Sequence, residues 1–150
     1  MKEIIMAKYD FFIAGRWRNK DNVKAVLDLV RANNKSAYCF LENDYQGEIV
    51  ELKMNGNPEV FMAELEDLPQ DHPFIQKIFD IDMKAERESD TFLLVFPAGI
   101  AAHIEAGIAY GLGKKCIAIG SLAKTETLYN IFERIFPTTE AFAQWLKSER

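Results

Sequence analysis

Four short apolar runs, each closed by turn residues, constrain this chain more than any other feature. Tyr9 to Gly15 reads YDFFIAG, Ser36 to Leu41 SAYCFL, Thr91 to Pro97 TFLLVFP, and Lys115 to Gly120 KCIAIG. Their apolar residues are continuous rather than alternating, the pattern of strands covered on both faces. Helical periodicities lie between them. Val23, Val26, Leu27 and Val30 follow a cap at Asn19 or Asp21 and stop at Asn33-Asn34. Phe74, Ile75, Ile78, Phe79 and Met83 follow His72-Pro73, and Ile104, Ile108 and Leu112 precede Gly113. A last stripe of Ala141, Phe142, Trp145 and Leu146 begins at PTTE, with Thr138 or Thr139 as cap. Strand alternating with helix implies an α/β fold, a parallel sheet wrapped by helices.

Two regions are ambiguous. Asn43 to Gln70 reads as an excursion near the second strand, a lid built from loop, hairpin or a short acidic helix at NPEVFMAELEDL. ETLYNIFERIFP is expected to be a helix running into a fifth short strand near Arg134 to Phe136. With 150 residues, 49% hydrophobic and 27% charged, the chain is expected to form one domain over 1–150.

Bulk properties narrow the function classes. A formal charge of −5 with scattered Lys and Arg argues against a nucleic-acid polymer as partner. No apolar stretch approaches the ~20 residues of a membrane span, and the N-terminal IIMA run is too short for a signal-peptide core, so a cytoplasmic location is expected. Cys39 and Cys116 sit in apolar runs and read as reduced, buried and structural; with only two histidines, no metal-ligand spacing exists.

In an open parallel sheet, ligands bind beyond the carboxyl ends of the strands where the strand order reverses. For the five-stranded order 2-1-3-4-5, the loops meeting there are AGRWRN (Ala14 to Asn19) and PAGIAAH (Pro97 to His103). Each has a glycine near its strand end, Gly15 and Gly99, which lets backbone amides approach a ligand. Arg16 and Arg18 suit a phosphate and Trp17 a base, or the three form a solvated loop. His103 either contacts ligand or caps the following helix. Glu105 is placed at the opening of that helix. It is either a first-turn acid favoured by the helix dipole or an ionised carboxylate at a pocket mouth, able to attack or stabilise an oxocarbenium-like carbon. GLGKK runs from helix into strand, the reverse of a phosphate-binding loop, and Gly107, Gly111 and Gly113 do not form the dinucleotide fingerprint.

FIAGRW closing the first strand, SDTFLLVFPAG as the third, and HIEAGIAYGLGKKCIAI beyond it together resemble the nucleoside 2-deoxyribosyltransferase superfamily, which includes 2'-deoxynucleoside 5'-monophosphate N-glycosidases. The resemblance covers roughly Tyr9 to Leu41 and Ile78 to Gly120. It implies a flavodoxin-like three-layer sandwich and cleavage or transfer at the N-glycosidic bond of a (deoxy)nucleoside or nucleotide, without metal or organic cofactor. Glu105 falls at the family's nucleophile, and Asp82, or neighbouring Asp80, at the sugar-positioning carboxylate. Phe12 stands where members often carry tyrosine. Phe12, Gly15, Arg16, Trp17, Arg18, Pro97, Ala98, Gly99 and His103 are the implied substrate contacts, and a homo-oligomer is expected. The alternative on the same fold is a non-catalytic nucleotide or nucleotide-sugar binding and sensing module.

Overall fold

The structure is a computed structural model that describes residues 7–42, 63 and 65–149. Five parallel strands form one sheet in the order β2-β1-β3-β4-β5: β1 Tyr9–Ala14, β2 Ala37–Cys39, β3 Ser89–Val95, β4 Lys115–Ile119 and β5 Arg134–Phe136. Among the described residues they are accompanied by the helices α1 Lys20–Ala32, α2 Pro73–Arg87, α3 Ile100–Gly111 and α4 Thr139–Ser148. The order reverses between β1 and β3, as a flavodoxin-like α/β fold requires.

Strand periodicity divides the core into two layers. Phe11, Ile13, Leu93, Val95, Ile117 and Ile119 face α1 and α4, packing on Val23, Val26, Val30, Phe142 and Leu146. Their chain neighbours Phe12, Ala14, Phe92, Leu94, Cys116 and Ala118 face the other way, toward Ala85 of α2 and Ala102, Ala106 and Ala109 of α3. Every strand residue in these runs therefore has a partner layer, which is why the runs are apolar without a break. Both cysteines are buried and unpaired with each other.

Three local expectations are corrected. The stripe of α3 that enters the core is alanine, whereas Ile104 and Leu112 face outward as exposed residues. Small side chains let α3 sit close over the ring-filled surface that Phe12 and Phe92 present. The stretch before β5 is a 3-10 turn, Thr127–Ile131, in place of an α-helix. Asn19 precedes α1 but makes no side-chain cap bond; its Nδ2 donates instead to the Phe96 carbonyl at 3.1 Å. Thr138 does cap α4, its hydroxyl accepting from the Ala141 amide at 3.1 Å. Most of the expected excursion, 43–62 and 64, lies outside the described residues; residues 65–67 are helical.

Candidate active site

The loops after β1 and β3 close on the same point. Asn19 ties them directly, because the side chain that leaves the first loop is bonded to the last carbonyl before the second. Between them, beneath α2 and α3, lies a cleft of about 630 Å³, within the usual range for a small-molecule site. Phe12, Gly15, Arg16, Trp17 and Arg18 line it from β1 and its loop, Ile78 and Asp82 from α2, Gly99 and Ile100 from the start of α3, and Glu105 from its second turn.

Of the residues singled out in the sequence, Asp82, Glu105, Phe12, Gly15, Arg16, Trp17, Arg18 and Gly99 thus share one cavity. Pro97, Ala98 and His103 do not line it. Ala98 and His103 border a neighbouring shallow groove. The His103 ring is occupied on both sides: Nδ1 lies 2.7 Å from the Gly99 carbonyl and Nε2 lies 3.0 Å from the Tyr129 hydroxyl. It therefore braces the first turn of α3 against the 3-10 turn. Asp80 lies outside the cleft lining, accepting a bond from Gln76 Nε2 at 2.9 Å, whereas Asp82 lines it.

Glu105 is not a first-turn residue. The helix starts at Ile100 and its first turn contains no acid, which removes the helix-dipole account. Glu105 follows one turn into α3, lines the cleft and lies within electrostatic reach of α2. Burial there disfavours its charge, Asp82 and Glu86 add like-charge repulsion, and its pKa rises from the ordinary 4.5 to about 8. Burial and the neighbouring carboxyls thus favour the neutral form of Glu105, where a helix N-terminus would have favoured the charged one.

Asp82 is held from a strand the sequence did not connect to it. The Tyr38 hydroxyl, at the middle of β2, donates to Asp82 Oδ1 at 2.5 Å. Tyr38 in turn stacks on Phe12 with 5.1 Å between ring centroids, and Phe12 stacks on Phe92 at 5.6 Å. A phenylalanine at position 12 therefore supplies a flat apolar floor in place of a hydroxyl. Phe40, edge-on to Trp17 at 5.5 Å, is another wall that sequence reasoning missed. Its only signal was the aromatic ending of SAYCFL. Among the described residues no group of His, Cys, Asp and Glu is arranged to hold a metal ion.

The cleft combines an aromatic and aliphatic wall with two arginines, Arg16 and Arg18, and three carboxyls, Glu66, Asp82 and Glu105. No family profile and no curated protein sequence matches the chain. A solved structure does: the 2-deoxyribosyltransferase from the psychrotolerant bacterium Bacillus psychrosaccharolyticus is 13% identical, with a TM-score of 0.58 over 89% of this chain and 89% of that chain. At that identity the likeness is one of fold, and the fold of this chain is that of the 2-deoxyribosyltransferase.

Proposed function

We propose that the cleft cleaves or transfers at the N-glycosidic bond of a (deoxy)nucleoside or nucleotide, with Glu105 as nucleophile. The observation that carries this is the convergence of Glu105 and Asp82 in one cavity at the strand-order reversal. The matched structure is of an enzyme described as a biocatalyst for nucleoside synthesis, which supports the same reading.

In this mechanism a Glu105 oxygen attacks the anomeric carbon as the carbon–nitrogen bond breaks. The bonding pair leaves with the base, which takes up a proton, and a glycosyl ester remains on Glu105. Water then cleaves the ester in a hydrolase, or the nitrogen of a second base does so in a transferase. Asp82, steadied by Tyr38, binds the sugar hydroxyls. Trp17 and Phe40 receive the base, and Arg16 and Arg18 suit a 5'-phosphate. Developing positive charge at the anomeric carbon favours the ionised form of Glu105 that burial and the neighbouring carboxyls disfavour.

Chromatography of deoxynucleosides and deoxynucleoside monophosphates incubated with the protein at pH 8 to 9 tests the reading. Free base should appear, and Glu105→Ala should abolish it with a melting temperature close to the parent's. Saturable binding without base release would establish the rival, a binding or sensing module. That rival draws its support from the preference of Glu105 for the neutral form at pH 7.

The homo-oligomer belongs to the same proposal. Ile100 is 81% exposed and Ile104 59%, and the two border one shallow groove with Ala98, Gly99 and His103. Ile100 also lines the cleft, so a second copy seated on this face would wall its mouth. Sedimentation should give a dimer or larger species, and Ile104→Glu should yield monomer.

A further inference from the structure

Behind the cleft, α2 carries a third carboxyl that this chemistry does not use. Glu86 lies one turn beyond Asp82 and is only 1% exposed. By hydrogen-bond geometry neither of its oxygens has a partner among the described residues, and the Ala109 backbone of α3 gives it only minor relief. Buried carboxyls are rarely left so, because each unpaired oxygen carries an uncompensated loss of solvation.

The groups around it are few. Asp82 precedes it on its own helix, and α3, packed against α2, brings Glu105 within electrostatic reach. From β4 comes the Cys116 thiol, which is pushed up to about 11, chiefly by burial and then by Glu86. Two cations bear on it among the described residues. Lys114 donates to the Arg87 carbonyl at 2.8 Å, so its ammonium is anchored at the helix end, and the Arg87 guanidinium is exposed. Burial first, and then Asp82, raise Glu86 to about 7, against partial relief from Lys114. Three carboxyls therefore compete for charge inside one wall of the cleft.

We propose that Glu86 is a positioning residue: its carboxyl, buried on α2 one turn from Asp82 where that helix packs on α3, adds its charge to the repulsion that delays the ionisation of Glu105. Its ionisation opposes that of Glu105, so the nucleophile is released late as pH rises, or when a cationic sugar centre compensates. The consequence for turnover rests on the proposed function; the electrostatic coupling does not.

Glu86→Gln keeps shape and removes charge. The acid limb of the pH profile for base release should move to lower pH by about half a unit or more, with the plateau kcat within about twofold. A lower plateau with an unmoved limb would make Glu86 merely structural and overturn the proposal. Carbon-13 NMR of carboxyl-labelled glutamate supplies the second readout, the Glu105 resonance being identified by its loss in Glu105→Gln. In Glu86→Gln that resonance should titrate at lower pH, and in the parent its curve should show two steps, one at the ionisation of Glu86. Absence of base release with the NMR shift present would sink the proposed function alone. A single unshifted step sinks the role of Glu86 whether or not the protein turns over, and the parent curve decides the matter if the variant does not fold.

Discussion

Glu105 stood out in the sequence as a charge among alanines, glycines and isoleucines, and its residue type and neighbours were enough to suggest chemistry. What the sequence did not carry was its electrostatic setting, because Asp82 and Glu86 come from a helix about twenty residues earlier and meet it only through packing. Tyr38 shows the same limit. Within SAYCFL it reads as one more strand residue, while its hydroxyl serves an aspartate 44 positions away. Tyr38→Phe keeps the ring that stacks on Phe12 and removes that bond. Hydrogen bonds to charged groups contribute about 1.5–3 kcal/mol, so kcat/KM for base release should fall roughly tenfold, chiefly through KM if Asp82 holds sugar. Steady-state kinetics on the best substrate of the panel check this, and an unchanged KM would remove Asp82 from sugar binding.

At the scale of elements, the strands were legible because burial on both faces leaves no polar gap. The helices were legible as helices, but α3 was misassigned in orientation. It has an isoleucine stripe and an alanine stripe, both apolar, and periodicity cannot say which one turns inward. Bulk on the opposing sheet decides: Phe12 and Phe92 fill the space, leaving room only for Ala102, Ala106 and Ala109. Gly15 is a similar case. Its value in the sequence was close approach to ligand, yet a Cβ there would stand 2.7 Å from Val23 Cγ2, a fully buried atom group of α1. Gly99, by contrast, has open space where a Cβ would go and lines the cleft. Gly15→Ala should cost about 1–3 kcal/mol by overpacking, measured by urea denaturation. Gly99→Ala should leave stability within about 0.5 kcal/mol and act on ligand affinity alone.

For the whole molecule, the buried carboxyls set how stability depends on pH. Glu86 and Glu105 have folded pKa values of about 7 and about 8, both above the 4.5 of an unfolded glutamate. Between those values the folded protein binds more protons than the unfolded chain, so stability must fall as pH rises from about 4.5 toward 8. Glu86, fully buried, accounts for roughly 3 kcal/mol of that loss at about 1.4 kcal/mol per unit; Glu105, partly open to the cleft, adds less than its shift implies. Glu42 works in the opposite sense, since the Arg31 guanidinium bonded to it holds its carboxyl below the ordinary range. Its contribution is present above pH 4.5 and lost only in stronger acid, outside the window. Thermal melts at pH 5.5 and 8.5 should therefore differ by roughly 5–10 °C, with the acid sample the more stable. Glu86→Gln should raise the melting temperature at pH 8.5, change it little at pH 5.5, and shrink the difference between them. A melting temperature that is flat or rising across this range would mean that both carboxyls are solvated or paired in solution, and the charge competition that shapes the cleft would not exist.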